Sequence, residues 1–239
     1  MAELLKTGCT CTTDHHYLYP RSFTGDLMAL QFAAAEKLGM RFSPTRGSMS
    51  LSKKDGGLPP DSVVQTADEI LADSERVIGA FHDNSPLAMR KIVLAPCSPF
   101  SVTKELMRDS AILARKHGVR LHTHLAETRD ENDFCQQMYG KRPLALMEEC
   151  SLIGPDVFYA HGIHFNDDEL RLLAQTGTSI AHCPSSNMRL GSGICRVTEM
   201  LDSGITVGIA VDGSASNDSS DMLGEIRHAL LLQRVGKGA

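Results

Sequence analysis

A chain of 239 residues, 42% hydrophobic and 22% charged, has ordinary globular composition and the length for a sizeable core. Its net charge of −5 and the lack of any lysine/arginine cluster exclude the basic face that nucleic acid or an anionic membrane would favour. No stretch approaches the roughly 18 apolar residues of a membrane span, and Met1–Thr13 lacks a basic segment followed by an apolar run. A cytoplasmic location is therefore expected. The seven cysteines are odd in number in a chain that is not small, so they read as buried thiols rather than a disulfide framework.

In chain order, a strand is expected at Gly8–Thr13. A helix follows over Gly25–Leu38, with Leu27, Leu30, Ala34 and Leu38 at helical spacing and Gly39 as its stop. A strand at Met40–Ser43 leads into a long glycine- and proline-rich loop, Pro44–Pro60, of the kind that forms lids or substrate walls. A helix over Asp61–Phe81 and a strand at Lys91–Ala95 come next. Thr103–His117 has a threonine cap, Glu105 in its first turn and Gly118 at its end. Strands are then expected at Val119–Leu125, Val157–His161, Thr178–His182 and Thr206–Asp212. The later helices are Asn166–Gln175, with Glu169 three residues after its asparagine cap, then Glu199–Ser203 and Asp221–Val235. Strands alternating with helices imply βαβ units and a parallel sheet. Seven such units without a break suit a barrel, of which an intact one has eight strands. Residues 1–239 thus read as a single α/β domain.

Barrel active sites lie at the C-terminal ends of the strands. Those ends carry His15 and His16, Arg46, Ser98, then His122, His124 and Glu127, then His161 and His164, His182, and finally Asp212. His124-Leu-Ala-Glu127 is the sharpest local signal. A strand-end imidazole can hold a divalent metal, and a glutamate on the turn after it can reach both a water and a substrate nitrogen. The competing reading is a glutamate in an ion pair beside a packed histidine. His122 shares a strand face with His124 but lies one layer deeper, where a structural role is expected. Asp212 follows an apolar run, where a lone carboxylate is costly unless paired or bound to metal. His161 suits ligation or a hydrogen bond to a nucleophile, and His182 suits either substrate contact or core packing.

Four segments in order resemble the amidohydrolase superfamily, in its branch of cytosine and guanine deaminases and triazine hydrolases. They are His122-Thr-His-Leu-Ala-Glu127, Tyr159-Ala-His-Gly-Ile-His164, Ala181-His-Cys-Pro-Ser-Ser-Asn-Met-Arg-Leu190 and Val211-Asp-Gly-Ser-Ala-Ser-Asn217. Asp14-His-His-Tyr17 and the stretch Pro44–Pro60 bring the likeness nearest to the 8-oxoguanine deaminases. The resemblance implies metal-dependent hydrolytic deamination of an aminopurine-type heterocycle, with ammonia as product. It implies one divalent metal, zinc or alternatively iron, with His124 and Asp212 as ligands. Glu127 would shuttle protons, Asp212 would also help deprotonate water, and His161 would hydrogen-bond the hydroxide without ligating. Arg46 and His182 would contact substrate. Binuclear relatives carry a carboxylated lysine at the end of the fourth strand. Lys91 opens the matching segment instead, which points to one metal.

The family's first two ligands come as His-x-His on its first strand, and the only His-x-His here is His122/His124. The expected architecture is thus an incomplete (β/α)8 barrel with strands 2–8 present and the first strand and accessory β domain absent. A triazine amino- or chlorohydrolase would use nearly the same residues. A second alternative is an inactive barrel remnant that serves as a binding partner, and barrels of this branch also suggest a homo-oligomer.

Overall fold

In the computed structural model, which describes residues 1–238, the chain forms two compact units. The first comprises Met1, Thr10–Thr123 and Cys150–Leu152, and the second comprises Ala2–Cys9, His124–Glu149 and the residues from Ile153 onward.

In the first unit, β1 (Cys11–Thr13) and β2 (Arg41–Ser43) form a parallel pair. Strands β3 (Thr45–Ser48), β4 (Val93–Pro96) and β5 (Arg120–Leu125) form a parallel ladder. The helices behave as their termini dictate. Leu27–Leu38 is capped by the Asp26 carboxylate and stopped by Gly39 at φ 67°. Lys104–His117 has the expected Thr103 cap and Gly118 stop. The helix expected from Asp61 begins only at Ala67, because Thr66 and Glu69 close a capping box there. Met28, Phe32, Phe42, Ile70, Leu94, Leu106 and Leu121 fill the core.

Strand β3 corrects the sequence reading, which placed Thr45–Ser48 in a loop and Arg46 merely beyond the second strand. The segment carries no apolar side chain, yet Thr45, Arg46 and Ser48 are almost wholly buried. A parallel strand covered on both faces can hold such residues only when their polar atoms are paired. Asp14 Oδ1 accepts from Thr45 N, and Thr45 Oγ1 accepts from His16 N. Gly47 is required by close approach: its N–H donates to His16 O at 2.9 Å, and a Cβ would collide with that carbonyl. Gly47→Ala is expected to destabilise the protein by about 1–3 kcal/mol, as overpacking against backbone does, read as a lower urea midpoint with unchanged slope.

In the second unit, the end of β5 meets β6 (Val157–His161), with Gly162 N donating to Leu125 O. Strands β7 (Ser179–His182) and β8 (Val207–Ile209) continue the parallel ladder. Within this unit the strands from the end of β5 to β8 follow one another in the sheet as they do in the sequence. Strand β8 is shorter than the expected Thr206–Asp212. Ala210 N still donates to His182 O, but the chain then leaves the ladder and turns at Asp212. Two helices, Arg129–Tyr139 and Pro143–Glu149, fill a stretch where the apolar pattern predicts none. Thr128 caps the first by accepting from Glu131 N, and Gly140 ends it. Asp167–Thr176 has the expected Asn166/Glu169 capping box. The helices Ala2–Lys6, Pro184–Leu190, Val197–Asp202 and Met222–Lys237 complete the unit.

Among the described residues the seven cysteines form no disulfide, and five of them are buried. Among the described residues, no helix is long and apolar enough to cross a membrane.

Candidate active site

The side chains with chemistry in the second unit leave from the exits of β5, β6, β7 and β8. Three of the non-glycine residues with positive φ sit at these exits: Ala126 at 54°, His161 at 72° and Asp212 at 64°. Each such conformation costs of order 1–3 kcal/mol and persists only where its surroundings impose it.

At the β5 exit the imposing group is Glu131. It is 1% exposed, and its two oxygens accept from Ala126 N at 2.9 Å and Glu127 N at 3.2 Å. Burial drives the Glu131 carboxyl up to about 8, against the pull of those two donors. The clamp fixes the turn that carries Glu127. His124, at the end of β5, stacks its ring on His161 with centroids 5.4 Å apart and planes 21° apart.

His161 is itself oriented from below. Its Nδ1–H donates to Asn187 Oδ1 at 2.9 Å, which leaves Nε2 to face Glu127 Oε2 at 3.6 Å. Asn187 is fully buried on helix Pro184–Leu190, whose start is set by Pro184 at its first position.

Asp212 has both oxygens engaged. Oδ2 accepts from Ser186 Oγ at 2.5 Å and Ser216 Oγ at 3.2 Å, and Oδ1 accepts from Gly213 N at 2.6 Å. Burial pushes this carboxyl upward, but Ser186, Gly213 and the His161 and His124 imidazoles outweigh it and hold it below the usual range. Asp212 is therefore an anion at neutral pH, facing two imidazoles. Cys183, buried after β7, joins it: His161, Cys183 and Asp212 each present a ligand atom within 4.8 Å of the others. Glu225 braces the flanking loop by accepting from Asn217 Nδ2 at 2.7 Å and Ser185 N at 3.0 Å.

His182, at the end of β7, is fully buried and neither ring nitrogen has a hydrogen-bond partner. A buried imidazole with two orphaned nitrogens is expensive unless a ligand or water completes it. Burial, then the nearby His161, lower its pKa to about 4. The unfolded chain, with an imidazole near 6.5, binds the proton more readily, so stability is complete above about 6.5 and is lost as pH falls towards about 4. Urea melts between those limits should show a shallower pH slope in His182→Gln than in the parent.

Arg46 belongs to the first unit, and its guanidinium is committed there. Nε donates to Asp73 Oδ2 at 2.6 Å, one terminal nitrogen donates to Gln65 Oε1 at 3.0 Å and the other to Gly47 O. Tyr19 stacks 3.8 Å from the guanidinium. His122 also lies in that unit, buried against the His15 ring at 4.7 Å, in keeping with a packed, structural histidine. In the second unit the structure brings together His124, Glu127, His161 and Asp212. The residues that hold them, Glu131, Asn187 and Ser186, are given no role from the sequence, although Ser186 and Asn187 stand in the segment Ala181–Leu190. Glu131, four residues after Glu127 and just inside a capped helix, leaves a further readable signal.

The chain belongs to the amidohydrolase family, whose pattern it matches over residues 1–238. It is 55% identical over 239 residues to the 8-oxoguanine deaminase of Pseudomonas aeruginosa, covering 100% of this chain and 53% of that protein. It is 45% identical over 240 residues to an isoxanthopterin deaminase from an unknown prokaryotic organism, covering 100% of this chain and 50% of that one. Among solved structures, the zinc complex of an atrazine chlorohydrolase from Arthrobacter aurescens TC1 superposes with a TM-score of 0.94 at 33% identity, covering 99% of this chain and 52% of that one. The chain thus has the α/β fold of part of an amidohydrolase barrel, and it spans about half the length of the curated relatives it matches.

Proposed function

We propose that the protein carrying this chain is a cytoplasmic, metal-dependent aminohydrolase that deaminates an aminopurine-type ring such as 8-oxoguanine, and that residues 1–239 form part of a single barrel domain. What supports this reading best is the convergence of His124, Glu127, His161 and Asp212 from three strand exits in one unit. The donors fit a divalent cation: the His124 imidazole and an oriented anionic carboxylate at Asp212. His124 and Asp212 would hold it, zinc being favoured over iron by the zinc bound to the Arthrobacter protein. When bound, such a cation supplies the Lewis acidity that makes hydroxide available near neutral pH.

The remaining chemistry belongs to the side chains. Asp212 takes a proton from water as the oxygen adds to the amine-bearing ring carbon, and the Nε2 face of His161 orients that oxygen. Glu127 carries the other water proton to the adjacent ring nitrogen, then carries the proton lodged on Asp212 to the departing amine, so both carboxylates end as they began. The C–N bond breaks, its electron pair leaves with ammonia, and the ring keeps the oxygen as a carbonyl. His182 would complete its orphaned nitrogens on the substrate. For Arg46 to contact substrate, it would have to use an N–H outside the three already committed.

The likeness to the Arthrobacter chlorohydrolase favours one second reading, a triazine hydrolase. Assaying the complete polypeptide with zinc separates the two. Ammonia released from 8-oxoguanine supports the proposal. Chloride released from a chlorotriazine, with no ammonia from any aminopurine, replaces it by the second reading.

A further inference from the structure

Cys183 is the one group in the second unit's cluster for which deamination has no use. It is buried at the head of helix Pro184–Leu190, where its thiol makes a long contact to Ala181 O, 3.5 Å away, and a hydrogen bond to the backbone of His161. Its sulfur lies within 4.8 Å of ligand atoms from both His161 and Asp212. Tetrahedral zinc holds sulfur, nitrogen and oxygen donors about 3.3–3.6 Å from one another, so a modest inward movement closes the set. The second shell is in place as well. Asn187 takes the Nδ1–H of His161 and leaves the Nε2 lone pair for a cation. Ser186, Ser216 and Gly213 hold the carboxylate of Asp212 in one orientation. His182, the residue before Cys183, is buried with both ring nitrogens orphaned.

We propose that His161, Cys183 and Asp212 form a site for a soft divalent cation, zinc or cadmium, with a donor set different from the His124–Asp212 pair. On binding, the Cys183 thiol releases its proton to the buffer and the sulfur ligates as thiolate. Occupancy takes His161 Nε2 away from Glu127. A consequence that rests on the proposed deamination is that excess zinc lowers turnover.

The binding part is tested on the purified chain, with the accessible Cys9 and Cys11 changed to serine to remove background. Cadmium is titrated while the thiolate-to-metal charge-transfer band is followed in the ultraviolet. One equivalent should saturate the band, and Cys183→Ser should abolish it. His124→Ala should keep it, although that change empties the cation site of the deamination reading, so the two ideas fail separately. X-ray absorption at the zinc edge of the chain with Cys9 and Cys11 changed to serine and Cys183 intact covers the case in which Cys183→Ser misfolds: a single sulfur at ~2.3 Å is expected. Zinc bound without sulfur, no cation bound, or a band that survives in Cys183→Ser would each overturn the site. In the complete polypeptide, excess zinc should lower turnover severalfold with Cys183 present and leave Cys183→Ser unaffected. Equal inhibition of both would overturn the regulatory consequence alone.

Discussion

Glu127→Gln in the complete polypeptide is expected to lower turnover at least ~10²-fold while metal content stays unchanged, the loss typical for removal of a general acid/base. The substitution is nearly isosteric, and the backbone of residue 127 is held by Glu131 and not by its own side chain. The turn therefore survives, and only the proton-carrying capacity is lost. The fall should appear in kcat and kcat/KM together, since the shuttle acts in the transition state and not in ground-state binding. Metal analysis alongside the kinetics separates this outcome from a collapsed site. Unchanged turnover would remove Glu127 from the mechanism.

Asp212→Asn is expected to abolish turnover by at least ~10²-fold as well, but through a different cause. Three donors, Ser186 Oγ, Ser216 Oγ and Gly213 N, converge on the two carboxylate oxygens. An amide offers one oxygen and one NH2, so one flipped state faces Gly213 N–H with another donor and the other faces the serine hydroxyls without a second acceptor. The anion that faces His124 and His161 is lost in either state. Metal content should fall, as it should in His124→Ala, whereas Glu127→Gln retains it. A variant with full metal and full turnover would end the assignment of Asp212 as ligand and base.

The strand-exit residues are legible in the sequence because their chemistry is local. His124, Glu127, His161 and His182 end or follow short apolar strands, and alternation with capped helices announces a parallel α/β fold. Helix ends were equally legible at Thr103/Gly118 and Asn166/Gly177, where capping depends on neighbours within four residues. Helix Arg129–Tyr139 was missed because its apolar positions are sparse, and its Thr128 cap lies directly after a strand-exit turn.

What the sequence determined alone was the set of elements with period and punctuation, and the short list of side chains able to do hydrolytic chemistry. Only the tertiary structure decided which of them act together. Strand β3 has no apolar pattern to announce it, and it is stable because Asp73 and Gln65, far along the chain, pair Arg46 inside the core. Glu131 and Asn187 become functional only by reaching backbone or ring nitrogens from other elements. Cys183 becomes a candidate ligand because the β6, β7 and β8 exits bring it within 4.8 Å of His161 and Asp212, distances that no spacing in the sequence encodes.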